Sequence, residues 1–174
     1  IPYAEGEGYS RSVAATAFGV MSGINVVGVI LITQISDRLG RKNLLAGAYT
    51  MRGLAYAVLL LAPGGWGLWG FAIIAGFSWI STAPLTATLT ADIYGLKNLG
   101  TLAGLTFLVH QIGGASSVLL AGIIYDATES YVIPFSICGA LLVVAGGIAF
   151  TIREKKYSSN YRTQIPPQAA TATW

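Results

Sequence analysis

Charge is what this sequence has least of. Of its 174 residues only 10% are Asp, Glu, Lys or Arg, against 54% hydrophobic, and the mean hydropathy is +0.65. A soluble domain carries roughly a quarter charged residues to make its polar surface. A water-soluble enzyme or binding module is therefore excluded. Histidine and cysteine occur once each, as His110 and Cys138. A lone cysteine closes no internal disulfide, and one residue of each type makes no metal ligand set. Also missing are GxxxxGK[ST], HExxH, CxxC and any pair of carboxylates inside the apolar stretches. No catalytic residue, metal or cofactor is expected, and the chain is read as a non-enzyme. The isoelectric point near 9.1 rests on a net charge of only +3 without a basic stripe, which argues against nucleic acid as a partner. The opening stretch IPYAEGEGYSRS has neither the basic nor the apolar region of a signal peptide.

Long apolar runs are abundant. Five occur, at 12–35, 44–62, 68–91, 101–125 and 131–152, and a helix of roughly 17 to 25 residues crosses a bilayer core. The expected fold is all-α: a polytopic bundle over 12–152, preceded by an extracytoplasmic loop at 1–11 and followed by a cytoplasmic tail at 153–174. Its surroundings are the lipid bilayer of the plasma membrane, the inner membrane in a bacterium. Arg38, Arg41, Lys42, Lys97, Arg153, Lys155, Lys156 and Arg162 fall on one side, against Arg11 alone on the other. By the positive-inside rule the first side is cytoplasmic. Five spans then start outside and end inside, so at least one further helix is expected before them. The tail, with Pro166 and Pro167, reads as disordered.

Inside the spans Arg52 is the only formal charge, about 12 Å along its helix from Leu44 at 1.5 Å per residue. A central arginine costs at least about 2.5 to 3.5 kcal/mol, so it needs a partner or a water-filled cavity. It is either a counter-charge for an anionic substrate or a structural pair with a carboxylate or helix-end carbonyl. His110, next to Gln111, shares a helical face with Thr106, Gly114 and Ser117; it either meets substrate or a proton, or is packed between helices. Ser22 and Asn25, and Ser78, Thr82 and Thr86 with Trp79 alongside, form polar stripes that either line a cavity or join helices. Ser22, Asn25, Arg52, Trp79, Thr82, His110 and Gln111 are the candidate cavity residues. Pro84 removes a backbone donor and predicts a kink in the third span. Gly19-x-x-x-Gly23, Gly100-x-x-x-Gly104, Gly113 and Gly114 predict close helix seams.

The connector Ser36-Asp37-Arg38-Leu39-Gly40-Arg41-Lys42 is the most specific motif. Two helices joined by D-R-x-G-R-K resemble the signature loop of the major facilitator superfamily, G-x-x-x-D-R-x-G-R-R/K. Thr33 stands where the leading glycine is usual, which suggests the second copy of that loop, between the eighth and ninth of twelve helices. The chain would then be helices eight to twelve, most of one six-helix half, partnered by the N-terminal half. Tyr94-Gly95, Asn98-Leu99-Gly100-Thr101, Gly104 and the stretch Ala121 to Asp126 are similar to the monocarboxylate transporter and oxalate/formate antiporter branch. The resemblance implies secondary active transport of a small organic anion by alternating access, as symport with protons or as antiport, with Asp37, Arg38, Gly40, Arg41 and Lys42 as a gating latch. It also implies that the second span, which carries Arg52, is peripheral. Efflux of amphipathic or aromatic compounds by the same fold, and a non-transporting scaffold or receptor, are the alternatives.

Overall fold

The structure is a computed structural model that describes residues 1–153, so the expected tail beyond Arg153 lies outside the described residues. Among these residues the chain is helical throughout, with no strand: α1 (Pro2–Gly6), α2 (Arg11–Leu39), α3 (Arg41–Leu61), α4 (Gly65–Ser78), α5 (Thr82–Tyr94), α6 (Leu99–Thr128) and α7 (Val132–Thr151). Five stretches are long and apolar enough to cross a membrane: α2, α3, α4 and α5 taken together, α6 and α7. This is the all-α, five-span architecture that the hydropathy implies.

The expected loop at 1–11 holds the short helix α1, and three further departures from the sequence reading bear on the polar residues. The first connector shrinks to Gly40, which ends α2 and begins α3 with φ 85° and ψ 132°. A side chain is strained at that φ, so glycine is what makes a one-residue joint possible. The third span is two helices rather than one, interrupted at 79–81. The helix expected to stop at Ala91 runs on to Tyr94, which draws Asp92 out of the connector and buries it.

Packing rests on glycines at two seams. Where α3 crosses α7, a Cβ added to Gly53 would lie 2.8 Å from the Gly139 carbonyl, and one on Gly139 would lie 3.1 Å from Cβ of Tyr56. Where α2 crosses α4, a Cβ on Gly76 would lie 2.7 Å from the Met21 carbonyl, and one on Gly28 would strike the Phe77 backbone. Close backbone approach of this kind is how helices associate in lipid. The seams expected at Gly19, Gly23, Gly100, Gly104, Gly113 and Gly114 are not used within the described residues, since a Cβ on any of them meets nothing within 4 Å. The i, i+4 spacing is present, but those faces have no neighbour among the described residues.

Ile32, Leu45, Ala46, Leu85, Leu89 and Ala149 form the main apolar cluster, tying α2, α3, α5 and α7 together. Helix α6 stands apart: none of its residues is buried. At the opposite end of the bundle from Gly40, Tyr3 of α1 packs its ring on Phe135 and Tyr131 and donates its hydroxyl to the Leu59 carbonyl. A small apolar cavity of about 140 Å³ lies beneath it, and none of the candidate residues lines it.

Candidate functional site

The polar chemistry of the bundle converges on one place, the C-terminal end of α4. Any helix leaves its last carbonyls without intrahelical donors, and this is the negative end of its dipole. In α4 those carbonyls fall midway along a membrane-crossing stretch, Gly65–Tyr94, where unanswered backbone groups are costly. Two neighbouring helices answer them. Asn25 of α2, 5% exposed, donates from Nδ2 to the Gly76 carbonyl at 2.8 Å. Arg52 of α3 donates from one terminal nitrogen to the Ser78 carbonyl at 2.5 Å, to the Trp79 carbonyl, and to Thr82 Oγ1 at 3.3 Å. Its guanidinium carbon also stands 5.0 Å from the Trp79 ring centroid, in cation–π range.

Asn25, Arg52, Trp79 and Thr82 are thus brought together. Among the described residues no carboxylate pairs with Arg52, so the cation is balanced by carbonyl dipoles and a π face. Of the two structural partners open in the sequence, the helix-end carbonyl is the one found. Ser22 is not part of this group: it is exposed and donates to the Phe18 carbonyl of its own helix at 2.9 Å. His110 and Gln111 are exposed on α6, and the nearest ring to His110 is Phe107 on the same helix, at 6.4 Å.

A second polar cluster lies at the Gly40 end. Arg41 opens α3, where a cation is disfavoured by the helix dipole. It is compensated by Asp37 Oδ1 at 3.2 Å, four residues earlier, and by an ion pair with Asp92 of α5; it also donates to the Thr88 carbonyl at 3.3 Å. Arg41 and Asp92 side chains are 17% and 8% exposed, while Asp37 is 65% exposed. Arg38 is exposed in the last turn of α2, where a cation suits the dipole, and Lys42 lies 5.6 Å from the Phe150 ring centroid. Sequence reasoning missed Asp92. The signal was its register: Leu85, Leu89 and Asp92 recur at i, i+4 and i+7, and all three are buried on one face of α5.

A D-R-x-G-R-K joint between two membrane-crossing helices, with its aspartate and arginine paired, agrees with comparison against known proteins. Residues 1–118 match the family model described as Major Facilitator Superfamily. The chain belongs to the major facilitator superfamily. It is 30% identical over 119 residues to an uncharacterized MFS-type transporter, YcxA, of Bacillus subtilis, covering 65% of this chain and 29% of that protein. It is 28% identical over 177 residues to monocarboxylate transporter 12 of Mus musculus, covering 95% of this chain and 35% of that protein. It is 25% identical over 142 residues to a gentisate transporter of Corynebacterium glutamicum, covering 82% and 31%. The chain therefore spans about a third of the length of these superfamily relatives. No solved structure matches it significantly. Membership, together with the five membrane-crossing stretches, makes this a multi-pass membrane chain of a transporter family.

Proposed function

We propose that the chain is part of a secondary active transporter that moves a small organic anion, a monocarboxylate or a related carboxylate, by alternating access. The observation that carries this reading is Arg52: a formal positive charge at membrane depth, set against a broken span and answered by carbonyls and Trp79 rather than by a carboxylate. Discontinuous helices at the midplane are where secondary transporters gather substrate and coupling ions. A positive charge with no carboxylate partner among the described residues favours an anionic cargo, and the relatives named for monocarboxylates and for gentisate support the same class. On this reading Arg52, Trp79 and Thr82 are this chain's share of the site, with Asn25 holding the helix end in place. Ser22, His110 and Gln111 face outward toward the rest of the carrier, and His110 is the group suited to carry a proton.

The cluster of Asp37, Arg41 and Asp92, with Arg38, Gly40 and Lys42 beside it, acts as the latch that closes the cytoplasmic side. It opens when the N-terminal half rocks against this one. The carrier sits in the plasma membrane with the tail after Arg153 in the cytoplasm. The test is uptake of labelled lactate, pyruvate, oxalate and formate by proteoliposomes holding the natural protein that carries these residues. Uptake under an imposed proton or anion gradient supports the reading. No uptake of any carboxylate under either gradient defeats it.

A further inference from the structure

The break at 79–81 has an unusual hydrogen-bond account. In an unbroken helix the Trp79 carbonyl would take the N–H of Ala83, and the Ile80 carbonyl would take the N–H of the residue at 84. Pro84 has none. The Ala83 N–H bonds instead to the Ile80 carbonyl at 3.0 Å, a tighter turn that leaves Trp79 without its backbone donor. The guanidinium of Arg52 takes that carbonyl together with the one at Ser78, which also accepts from Ser81 Oγ at 3.1 Å.

Both halves of the span are anchored away from the break. Helix α4 is held to α2 by the Gly28 and Gly76 contacts and by Asn25, and α5 is held to α3 by the ion pair of Asp92 with Arg41. The joint itself is open on one side, with Trp79 38% and Ile80 55% exposed, although Ser78 and Ser81 are fully buried. Two anchored rods meet at a short segment whose carbonyls are held by a side chain of a third helix.

We propose that Arg52 is a positioning residue: it donates to the carbonyls left open by the tight turn before Pro84, and so keeps the third span as two rods about which the carrier flexes during transport. The movement rests on the transporter reading above, whereas the pairing of Arg52 with Pro84 does not. The experiment is a double-mutant cycle in the natural protein in lipid nanodiscs, using Arg52→Gln, Pro84→Ala, their combination, and Arg52→Lys as the conservative variant. Hydrogen exchange of 79–86 is read first. Arg52→Gln exchanges about tenfold faster, Arg52→Lys lies between it and wild type, and adding Pro84→Ala to Arg52→Gln returns exchange to within about threefold of wild type. A combined variant that exchanges as fast as Arg52→Gln alone overturns the pairing.

Uptake is read second. A merely structural role predicts that the combined variant regains transport along with its protection. The hinge predicts that maximal uptake stays about tenfold down, because the span is now straight and stiff. It also predicts that Arg52→Lys, with its charge kept, holds KM within about threefold of wild type while maximal uptake falls. Full recovery of uptake in the combined variant overturns the hinge, as does an Arg52→Lys variant whose exchange and maximal uptake both stay at wild-type values while KM rises about tenfold, since Arg52 then acts on substrate alone. Absence of uptake by the wild-type protein removes the transporter reading and with it the hinge, leaving exchange to decide the Arg52–Pro84 pairing.

Discussion

Arg41 and Arg52 lie on the same helix, about three turns apart at 3.6 residues per turn. The bundle treats them in opposite ways. Arg41 meets two carboxylates, one buried and one exposed, whereas Arg52 meets two main-chain carbonyls, a hydroxyl and an aromatic face. An ion pair cancels formal charge; dipoles stabilise a cation but leave its net charge in place. The first arrangement suits a closure that is made and broken as a unit. The second, on the proposed transporter reading, suits a site that must still attract an anion from outside.

Three substitutions sharpen this contrast. The largest effect is expected from Asp92→Asn, because removing one member of a buried pair strands the other: stability falls by about 3 to 5 kcal/mol, read as a lowered midpoint of thermal unfolding of the purified protein. An unchanged midpoint would show that Arg41 is solvated and the pair dispensable. A smaller loss, about 1 to 3 kcal/mol by the same readout, is expected from Asn25→Ala, which withdraws the buried donor from the Gly76 carbonyl. If Asn25→Ala costs as much as Asp92→Asn, dipole and ion pair are not the distinct cases described here. The least, about 0 to 1 kcal/mol, is expected from Asp37→Asn, whose carboxylate is mostly in solvent. Its uptake rate should nevertheless fall if the latch reading holds, and normal uptake would assign Asp37 to anchoring alone.

The same contrast explains what the sequence made legible. Hydropathy and length located the spans because crossing a membrane constrains each segment by itself. The D-R-x-G-R-K string marked the joint because its residues are consecutive. Pro84 announced a disturbance in the third span, yet the break lies at 79–81, upstream of the proline, where its missing donor is felt. What closes the break comes from α3 and α2, and no pattern along one segment reveals which helix it will meet. Asp92 lies just past the apolar run that ends at 91, although continuing the Leu85 and Leu89 register keeps it in the helix. The glycine repeats identify flat helix faces, and their spacing does not say which helix lies against them; among the described residues none does. His110 and Gln111 sit on such a face, on the one long helix with no buried residue.

The Gly40 joint has a consequence for how the chain can be handled. Helices α2 and α3 meet with a single residue between them, so their ends have no slack to share. A protease would find no extended segment to enter there, and an inserted tag would have to unwind α2 or α3 and separate Asp37 from Arg41. The turns at 63–64 and 95–98 carry no such ion pair and are the places where added sequence can be accommodated.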